Sequence, residues 1–393
     1  MGNSYTEVNN LPSLIKNIAN STGNDIVYDS NTPGGYTLQG HAGNNISQSK
    51  IMQGNWDFVV LQEQSQIPSF PDNYVNTNMF PYAKKLDSLI NHYNPCAETI
   101  FYMTWGRKNG DTSNCASNPV VCTYIGMDNA IRNRYEMMAN QNLAILSPVG
   151  AVWRYIRTNF PSIELYSSDE SHPSLEGSYA AACAFYTVIF RENPNLITYN
   201  STLDPVVAAQ IRAATQVVVY NQMAQWNVGK YDLDAHFSYN TVVNSPMKIQ
   251  FTPNYSFDGP NYFWDFGDGQ TSTSKEPIHQ YNNTGNFSVK LTLEKCGETQ
   301  NIIQSIAVNN LNTHETPKIK TTIFPNPTQD YLYIKGGENL VYYQITDASG
   351  RLLKNEKISR NEIFIGNFSK GKYLLFLKDK NQNTIITQQI IKK

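Results

Sequence analysis

Gly2-Asn3-Ser4 sets a serine in a turn just ahead of a helix-forming stretch, and Asp169-Glu170-Ser171-His172-Pro173 sets a carboxylate three residues before a histidine. A serine hydroxyl is a weak nucleophile until a base takes its proton, and imidazole is suited to that task near neutral pH. A carboxylate on the other ring nitrogen fixes the tautomer and stabilises the imidazolium that forms. Together the three residue types specify acyl transfer through a covalent serine intermediate. Each piece alone also fits a structural role: the turn can be a helix cap, and the histidine an ordinary loop residue. The case rests on finding both, with a scaffold that could join them.

Other candidate chemistry is thinner. The cysteines are Cys96, Cys115, Cys122, Cys183 and Cys296. Cys115 and Cys122 bracket a Ser-Asn-Pro loop and suit a local disulfide in an extracellular protein. Cys183 lies in a helix-like apolar stretch, 179–186, and reads as core. No Cys or His cluster has metal-site spacing. Asp265 and Asp268 could hold a metal, but Asp268-Gly269 reads first as a turn. Trp264 and Phe266 alternate onto one strand face as core, ahead of any sugar-stacking role for Trp264.

Positions 4 and 169–172 need a scaffold that brings them together, and the first 230 or so residues have the pattern of one. Leu11, Leu14, Ile15 and Ile18 follow helical spacing, with Pro12 suited to a first turn. Short apolar runs at 25–28, 56–61, 99–104 and 143–147 read as strands. Helical stretches lie between them at 82–92 and 128–140, and two more follow at 175–191 and 205–226. That alternation predicts an α/β domain with a mainly parallel sheet. After Trp226 the texture becomes short alternating strands with turn residues, an all-β pattern. A polar stretch at 309–318 reads as a linker, and a second β stretch runs from Ile323 to the C-terminus.

The 393 residues are 40% hydrophobic and 12% aromatic, enough for the cores of two or three domains of roughly 150 residues. The formal net charge is −2, and only 16% of residues are charged. A chain this neutral lacks the basic field that phosphate backbones require, which argues against nucleic-acid binding. No apolar run approaches the roughly 18 residues of a membrane span, so an integral membrane protein is not expected. The total hides an asymmetry. From Thr313 onward 11 Lys and 2 Arg face 7 acidic residues, a net of +6, which leaves −8 on the residues before it.

In their order along the chain, the chemical segments resemble the SGNH hydrolases, the GDSL-like lipase/esterase superfamily, over roughly residues 1–228. Gly2-Asn3-Ser4-Tyr5-Thr6 matches the block with the nucleophilic serine, with Asn3 where aspartate is commoner. Gly34-Gly35-Tyr36-Thr37-Leu38 matches the block whose glycine N–H helps form the oxyanion hole, with Gly35 the better match. Val59-Val60-Leu61-Gln62-Glu63-Gln64-Ser65 stands where that family contributes an asparagine amide. Gln64 occupies the asparagine position, one methylene longer, and a shift of register would put Gln62 there instead. Asp169 and His172 match the last, Asp-x-x-His block. The run 59–65, Phe101-Tyr102-Met103-Thr104-Trp105 and Ser147-Pro148-Val149-Gly150 are similar to one branch of the superfamily, in which the glutamine is normal. The absence of any Gly-x-Ser-x-Gly elbow sets the α/β-hydrolase fold aside.

The resemblance implies a flavodoxin-like three-layer α/β/α domain with catalytic Ser4, Asp169 and His172. It also implies an oxyanion hole from Ser4, Gly35 and Gln64, and no metal or organic cofactor. The expected activity is a secreted serine esterase, acting on O-acyl groups such as acetyl on carbohydrate. A lipid or aryl esterase of the same fold is one alternative, and a non-catalytic surface binding or adhesion protein on a hydrolase scaffold is another. Tyr262-Phe263-Trp264-Asp265-Phe266-Gly267-Asp268-Gly269, with Pro277, His279, Tyr281 and Gly285, resembles a PKD domain, an extracellular immunoglobulin-like β-sandwich. Phe324-Pro325-Asn326-Pro327, Asp347-Ala348-Ser349-Gly350-Arg351 and Phe368-Ser369-Lys370-Gly371-Lys372-Tyr373 resemble the C-terminal sorting domain of the type IX secretion system. That implies the export machinery as a partner and a secreted or outer-surface location. Cleavage of the basic tail after export would leave an acidic protein. The expected boundaries are 1–228, 236–309 and 319–393.

In SGNH folds the nucleophile follows a first strand inside the sheet, yet only Met1, Gly2 and Asn3 precede Ser4, too few for one. The N-terminus also has no basic and apolar signal-peptide pattern. One expectation covers both: the chain as written starts at an internal point of a longer one and is poorly stable without that strand.

Overall fold

The computed structural model describes residues 1–309, 321–336, 340–347, 350–358 and 361–393. Beyond Asn309 the expected linker lies outside the described residues, as do Ala348 and Ser349.

The chain opens on a helical turn, Ser4–Glu7, and helix α1, Leu11–Asn20. Asn10 caps α1 by accepting from Ser13 N–H, Pro12 sits in its first turn, and Leu11, Leu14, Ile15 and Ile18 form its buried face. Helix α2, Leu38–Gly43, follows. Strand β1, Phe58–Leu61, helix α3, Phe80–Tyr93, and strand β2, Glu98–Tyr102, come next. Then come helix α4, Tyr124–Gln141, strand β3, Ile145–Ser147, helix α5, Val149–Asn159, helix α6, Leu175–Phe190, and helix α7, Pro205–Val218.

The strands form a parallel sheet in the order β1-β2-β3, with Phe58 opposite Glu98 and Ile100 opposite Ile145. Helix α4 packs on β2, β3 and α3, while α6 packs on β3, α1, α5 and α7. This is the α/β architecture that the alternation of apolar runs predicts. Because all strands run the same way, the residues that leave them, Gln62 after β1, Met103 after β2 and Pro148 after β3, share one edge. That is the edge where open α/β sheets bind ligands.

Two expectations need correction. Residues 25–28 form no strand: Val27 is 79% exposed, and Lys16 Nζ, not a ladder partner, donates to Ile26 O. An apolar run becomes a strand only where a neighbour completes its hydrogen bonds, and only Asn31 O, further along, accepts from Gly2 N–H at 3.2 Å. The stretch 205–226 is not one helix. It breaks at Val219 into a 3-10 segment, Tyr220–Trp226, whose Trp226 indole donates to Val218 O at 2.7 Å. At the free edge of β1 the Met1 ammonium donates to Val60 O at 2.7 Å and Gln62 N–H donates to Met1 O at 3.1 Å. A cavity of about 190 Å³ lies alongside, lined by Ile15, Val27, Trp56, Phe58, Val60 and Phe185 among others.

The β region between 237 and 308 carries antiparallel strands around Trp264, Phe251, Phe266 and Tyr281, all buried. Trp264 is wholly inside and donates its indole N–H to Ser274 O at 3.0 Å. Asp265 and Asp268 accept from the turn N–H groups of Gly267 and Gln270, and Asp268 also pairs with the buried His279. A disulfide joins Cys96, after α3, to Cys296 in the turn between strands Gly285–Lys295 and Glu298–Val308. A second joins Cys115 to Cys122, and Cys183 is a free, buried core thiol.

The chain divides into two compact units. One holds Met1–Asn240, Ile249–Tyr281 and Gly285–Ala307; the other holds Thr241–Lys248, Asn282–Thr284 and Val308–Lys393. The C-terminal strands of the second unit close a core of their own around Leu332, Ile345, Ile363, Leu375 and Ile390. Among the described residues no helix is long and apolar enough to cross a membrane.

Candidate active site

Ser4 is the first residue of its helical turn, and Asn3 is the cap: Asn3 Oδ1 accepts from Tyr5 N–H at 3.1 Å. The same oxygen accepts from Gln62 Nε2 at 2.7 Å, while Gln62 Oε1 accepts from Asn3 N–H at 3.2 Å and from the Thr6 hydroxyl at 2.7 Å. The two amides thus grip each other across 59 residues, in the buried space beyond β1. Gly2 leaves room for this: a Cβ there would lie 2.4 Å from Thr6 Oγ1 and 2.6 Å from Gln62 Oε1.

Behind the turn, His41 is fully buried, and burial, followed by the N-terminal ammonium, pushes it down to about 4. It is therefore neutral near pH 7. Gly2 O can only accept, so Nε2–H donates to it at 2.8 Å, and Nδ1 accepts from Ser47 Oγ at 2.7 Å.

On the other side His172 Nε2 lies 2.8 Å from Ser4 Oγ, and Nδ1 lies 2.5 Å from Asp169 Oδ2. Asp169 Oδ1 accepts from the backbone N–H groups of Ser171 and His172. Partial burial works to raise the Asp169 pKa, but the His172 hydrogen bond, followed by these two N–H donors, holds it below the usual carboxylate value. An ionised Asp169 can only accept, so Nδ1 carries the proton and Nε2 of the neutral ring is left to accept from Ser4.

The histidine loop rests on aromatics. The Tyr5 ring meets His172 edge-on at 5.2 Å and stacks on Trp105 at 4.8 Å, which stacks on Trp153 at 3.7 Å. Tyr5 Oη is 2.6 Å from Ser171 Oγ, and the Trp105 indole donates to Ser171 O at 3.1 Å.

Gly35 has φ +70°, and a Cβ on it would meet nothing within 4 Å, so this glycine supplies conformation and not space. Its loop hangs from the nucleophile turn through Asn3 Nδ2, which donates to Tyr36 O at 2.9 Å. Both glutamines of the third block are placed. Gln62 is fully buried and spends its Nε2 hydrogens on Asn3 Oδ1 and Glu63 O. Gln64 is half-buried and folds onto its own loop, Oε1 accepting from Gln66 and Ile67 N–H, and Nε2 lying 3.2 Å from Gln66 Oε1. The hydrogen bonds therefore join Ser4, His172 and Asp169 directly, and carry the Gly35 loop to the same turn. They do not link Gln64 to Ser4. Sequence reasoning missed the positions of His41, Glu63, Trp105 and Trp153 around the site. The one available signal was the polar run Gln62-Glu63-Gln64 directly after an apolar strand. Among the described residues no group of three or more His, Cys, Asp or Glu could hold a metal ion.

Residues 235–309 match the family model of the PKD domain, and residues 322–393 match that of the secretion system C-terminal sorting domain. A sorting domain of this kind addresses a chain to the type IX secretion machinery, and the protein is accordingly secreted or held at the outer cell surface. A DUF4886 family protein from Bacteroides uniformis covers 57% of this chain and 92% of its own at 15% identity, with a TM-score of 0.46. A candidate SGNH hydrolase from Slackia heliotrinireducens covers 47% and 94% at 22% identity, with a TM-score of 0.38. The pre-pro-metalloprotease PrtV of Vibrio cholerae is 31% identical over 140 residues, 34% of this chain. The chain spans only 14% of that relative's length.

Proposed function

We propose that the protein is an exported serine hydrolase that cleaves carboxylic esters through Ser4, His172 and Asp169. The observation that carries the reading is the unbroken chain from Ser4 Oγ through both His172 nitrogens to Asp169, beside the C-terminal edge of the parallel sheet. A histidine needed only for packing requires no carboxylate on one nitrogen and a serine hydroxyl on the other.

The proposed steps follow from those bonds. His172 Nε2 takes the Ser4 proton as Oγ attacks the ester carbonyl, and Asp169 stays ionised and steadies the imidazolium. The tetrahedral oxyanion is held by the Ser4 N–H, which begins a helical turn and so has no intrahelical acceptor, by the Gly35 N–H and by the Gln64 amide. For Gln64 to serve, its side chain must turn from Gln66 when substrate binds. Collapse returns the proton from His172 to the leaving alkoxide. Water, with His172 again as base, then frees the acid and restores Ser4.

Acyl groups on carbohydrate are the preferred substrate class; the sorting domain and the PKD domain suit work on extracellular polymers, and the SGNH resemblance supplies the ester chemistry. Ser4→Ala should lower turnover of a short aryl acetate by about 10⁴-fold or more, with unchanged thermal unfolding. A fluorophosphonate probe should label the wild type at Ser4. An active Ser4→Ala variant would overturn the assignment of the nucleophile, and a wild type that neither turns over the ester nor is labelled would overturn the reading in favour of a binding protein. Faster release of acetate from acetylated polysaccharide than from aryl or lipid esters would support the carbohydrate class, and the reverse would remove it.

A further inference from the structure

Glu63 leaves β1 and is fully buried. Its Oε1 accepts from two backbone N–H groups, Leu38 at 3.2 Å and Gln64 at 2.6 Å. Leu38 is the first residue of α2, directly after Gly34-Gly35-Tyr36-Thr37, and Gln64 belongs to the third block. Oε2 is enclosed and has no hydrogen-bond partner. A residue needed only to fill volume here would be apolar, because a buried carboxyl is costly unless its hydrogen bonds are needed.

We propose that Glu63 is a positioning residue that pins the Gly35 loop to the Gln64 loop and so fixes the oxyanion donors relative to Ser4. The proposal rests on the serine-hydrolase reading above. The Gly35 loop is then anchored twice, at Tyr36 O by Asn3 and at Leu38 N–H by Glu63, with Gly35 just ahead of both points.

The groups that face Glu63 carry no charge. From α4 comes the Tyr135 hydroxyl, which accepts from Glu63 N–H at 3.1 Å; from α2 the Leu38 N–H; from its own segment the Gln64 N–H and the Gln62 amide, which donates to Glu63 O. Burial, opposed only by the two N–H donors, pushes the carboxyl up to about 8. The neutral acid is then the resting form near pH 7, with its proton on the unpartnered Oε2. Above that value a buried negative charge appears behind the loops that must hold a developing oxyanion, and transition-state stabilisation weakens. The sign is fixed: the protonated form works, and turnover falls as pH rises through about 8.

The test is the pH dependence of kcat and KM with an aryl acetate for the wild type, Glu63→Gln, Glu63→Ala and Ser4→Ala. Glutamine keeps the Oε1 acceptor and mimics the neutral acid. It should retain kcat at pH 7 within about threefold and lose the alkaline fall. Alanine should lower kcat by about 10- to 100-fold with a smaller change in KM, as weakened oxyanion support would. An alkaline fall unchanged in Glu63→Gln, or a wild-type kcat in Glu63→Ala, would overturn the inference. If the alanine variant does not fold, the glutamine profile decides alone. An active Ser4→Ala would instead sink the parent reading, whereas a dead Ser4→Ala with an unaltered Glu63→Gln profile sinks only the role of Glu63.

Discussion

The two halves of the site are built in opposite ways. The nucleophile turn is held by side-chain bonds that reach 33 to 59 residues along the chain, buried ones to the Gln62 and His41 side chains and a part-buried one from Asn3 to Tyr36 O. The base is oriented locally instead: Asp169 grips the His172 ring from three residues away, with the Asp169 side chain 48% and the His172 side chain 34% exposed, while Tyr5 and Trp105 hold the loop itself through Ser171 and not through the pair. A buried long-range network forms only when the domain folds, so damage to it must appear in stability and activity together. A local, half-exposed pair is positioned by its own short loop, so damage to it should appear in the chemistry alone.

The most severe test of that contrast is Asp169→Asn. The amide still offers an oxygen to the Ser171 and His172 N–H groups but no longer demands a proton on His172 Nδ1, so the base loses its tautomer. We expect kcat to fall by up to about 10⁴-fold. Unfolding should change by less than about 0.5 kcal/mol, because a carboxylate this exposed is screened. Its lowered pKa gives the sign of the small remainder: present above the ordinary carboxylate value and lost as pH falls through the lowered one. Steady-state kinetics with urea unfolding measure both. A large loss of stability would break the contrast.

Gln62→Leu probes the opposite half. It leaves Asn3 Oδ1 with Tyr5 N–H alone and strands the buried Asn3 N–H and the part-buried Thr6 hydroxyl, and each unsatisfied group costs about 1–3 kcal/mol, reduced where water or relaxation reaches it. We expect a loss of about 1–3 kcal/mol in the unfolding free energy measured with urea, together with a fall in kcat, since the turn that aims Ser4 loses its grip. Wild-type stability with lost activity would show that Gln62 acts on chemistry and not on the fold.

The same contrast explains what was legible in the sequence. Asp169 and His172 sit three apart and bond each other, so their short motif could be picked out, and it gained weight only beside the Gly-Asn-Ser turn at Ser4 and the order of the segments. Strands β1, β2 and β3 were legible because each carries a short apolar run, wholly buried in β3, buried beyond Glu98 in β2 and alternately buried in β1. Residues 25–28 have the same look, but a strand is defined by its neighbour, which an apolar run does not encode. The long-range partners were hidden for a like reason. Nothing local distinguishes Gln62 from Gln64, or marks His41 as a buried neutral donor. Cys96 and Cys296, 200 residues apart, give no spacing cue to their bond.

The two glycines of the nucleophile region set the smallest expected effect. At Gly2 a Cβ would strike Thr6 Oγ1 and Gln62 Oε1, so alanine there wedges open the amide pair and should behave like a milder Gln62→Leu. At Gly35 a Cβ meets open space, and the only cost is an L-residue at φ +70°, about 1 kcal/mol. Alanine keeps the Gly35 N–H, so kcat should change by less than about threefold while the unfolding free energy drops by that small amount. If the alanine relaxes to negative φ instead, the N–H proposed as an oxyanion donor changes direction. The signature is then a kcat loss of about 10-fold or more with stability intact. That outcome would move the Gly35 loop into the half of the site where chemistry and fold separate, despite its buried anchors at Asn3 and Glu63.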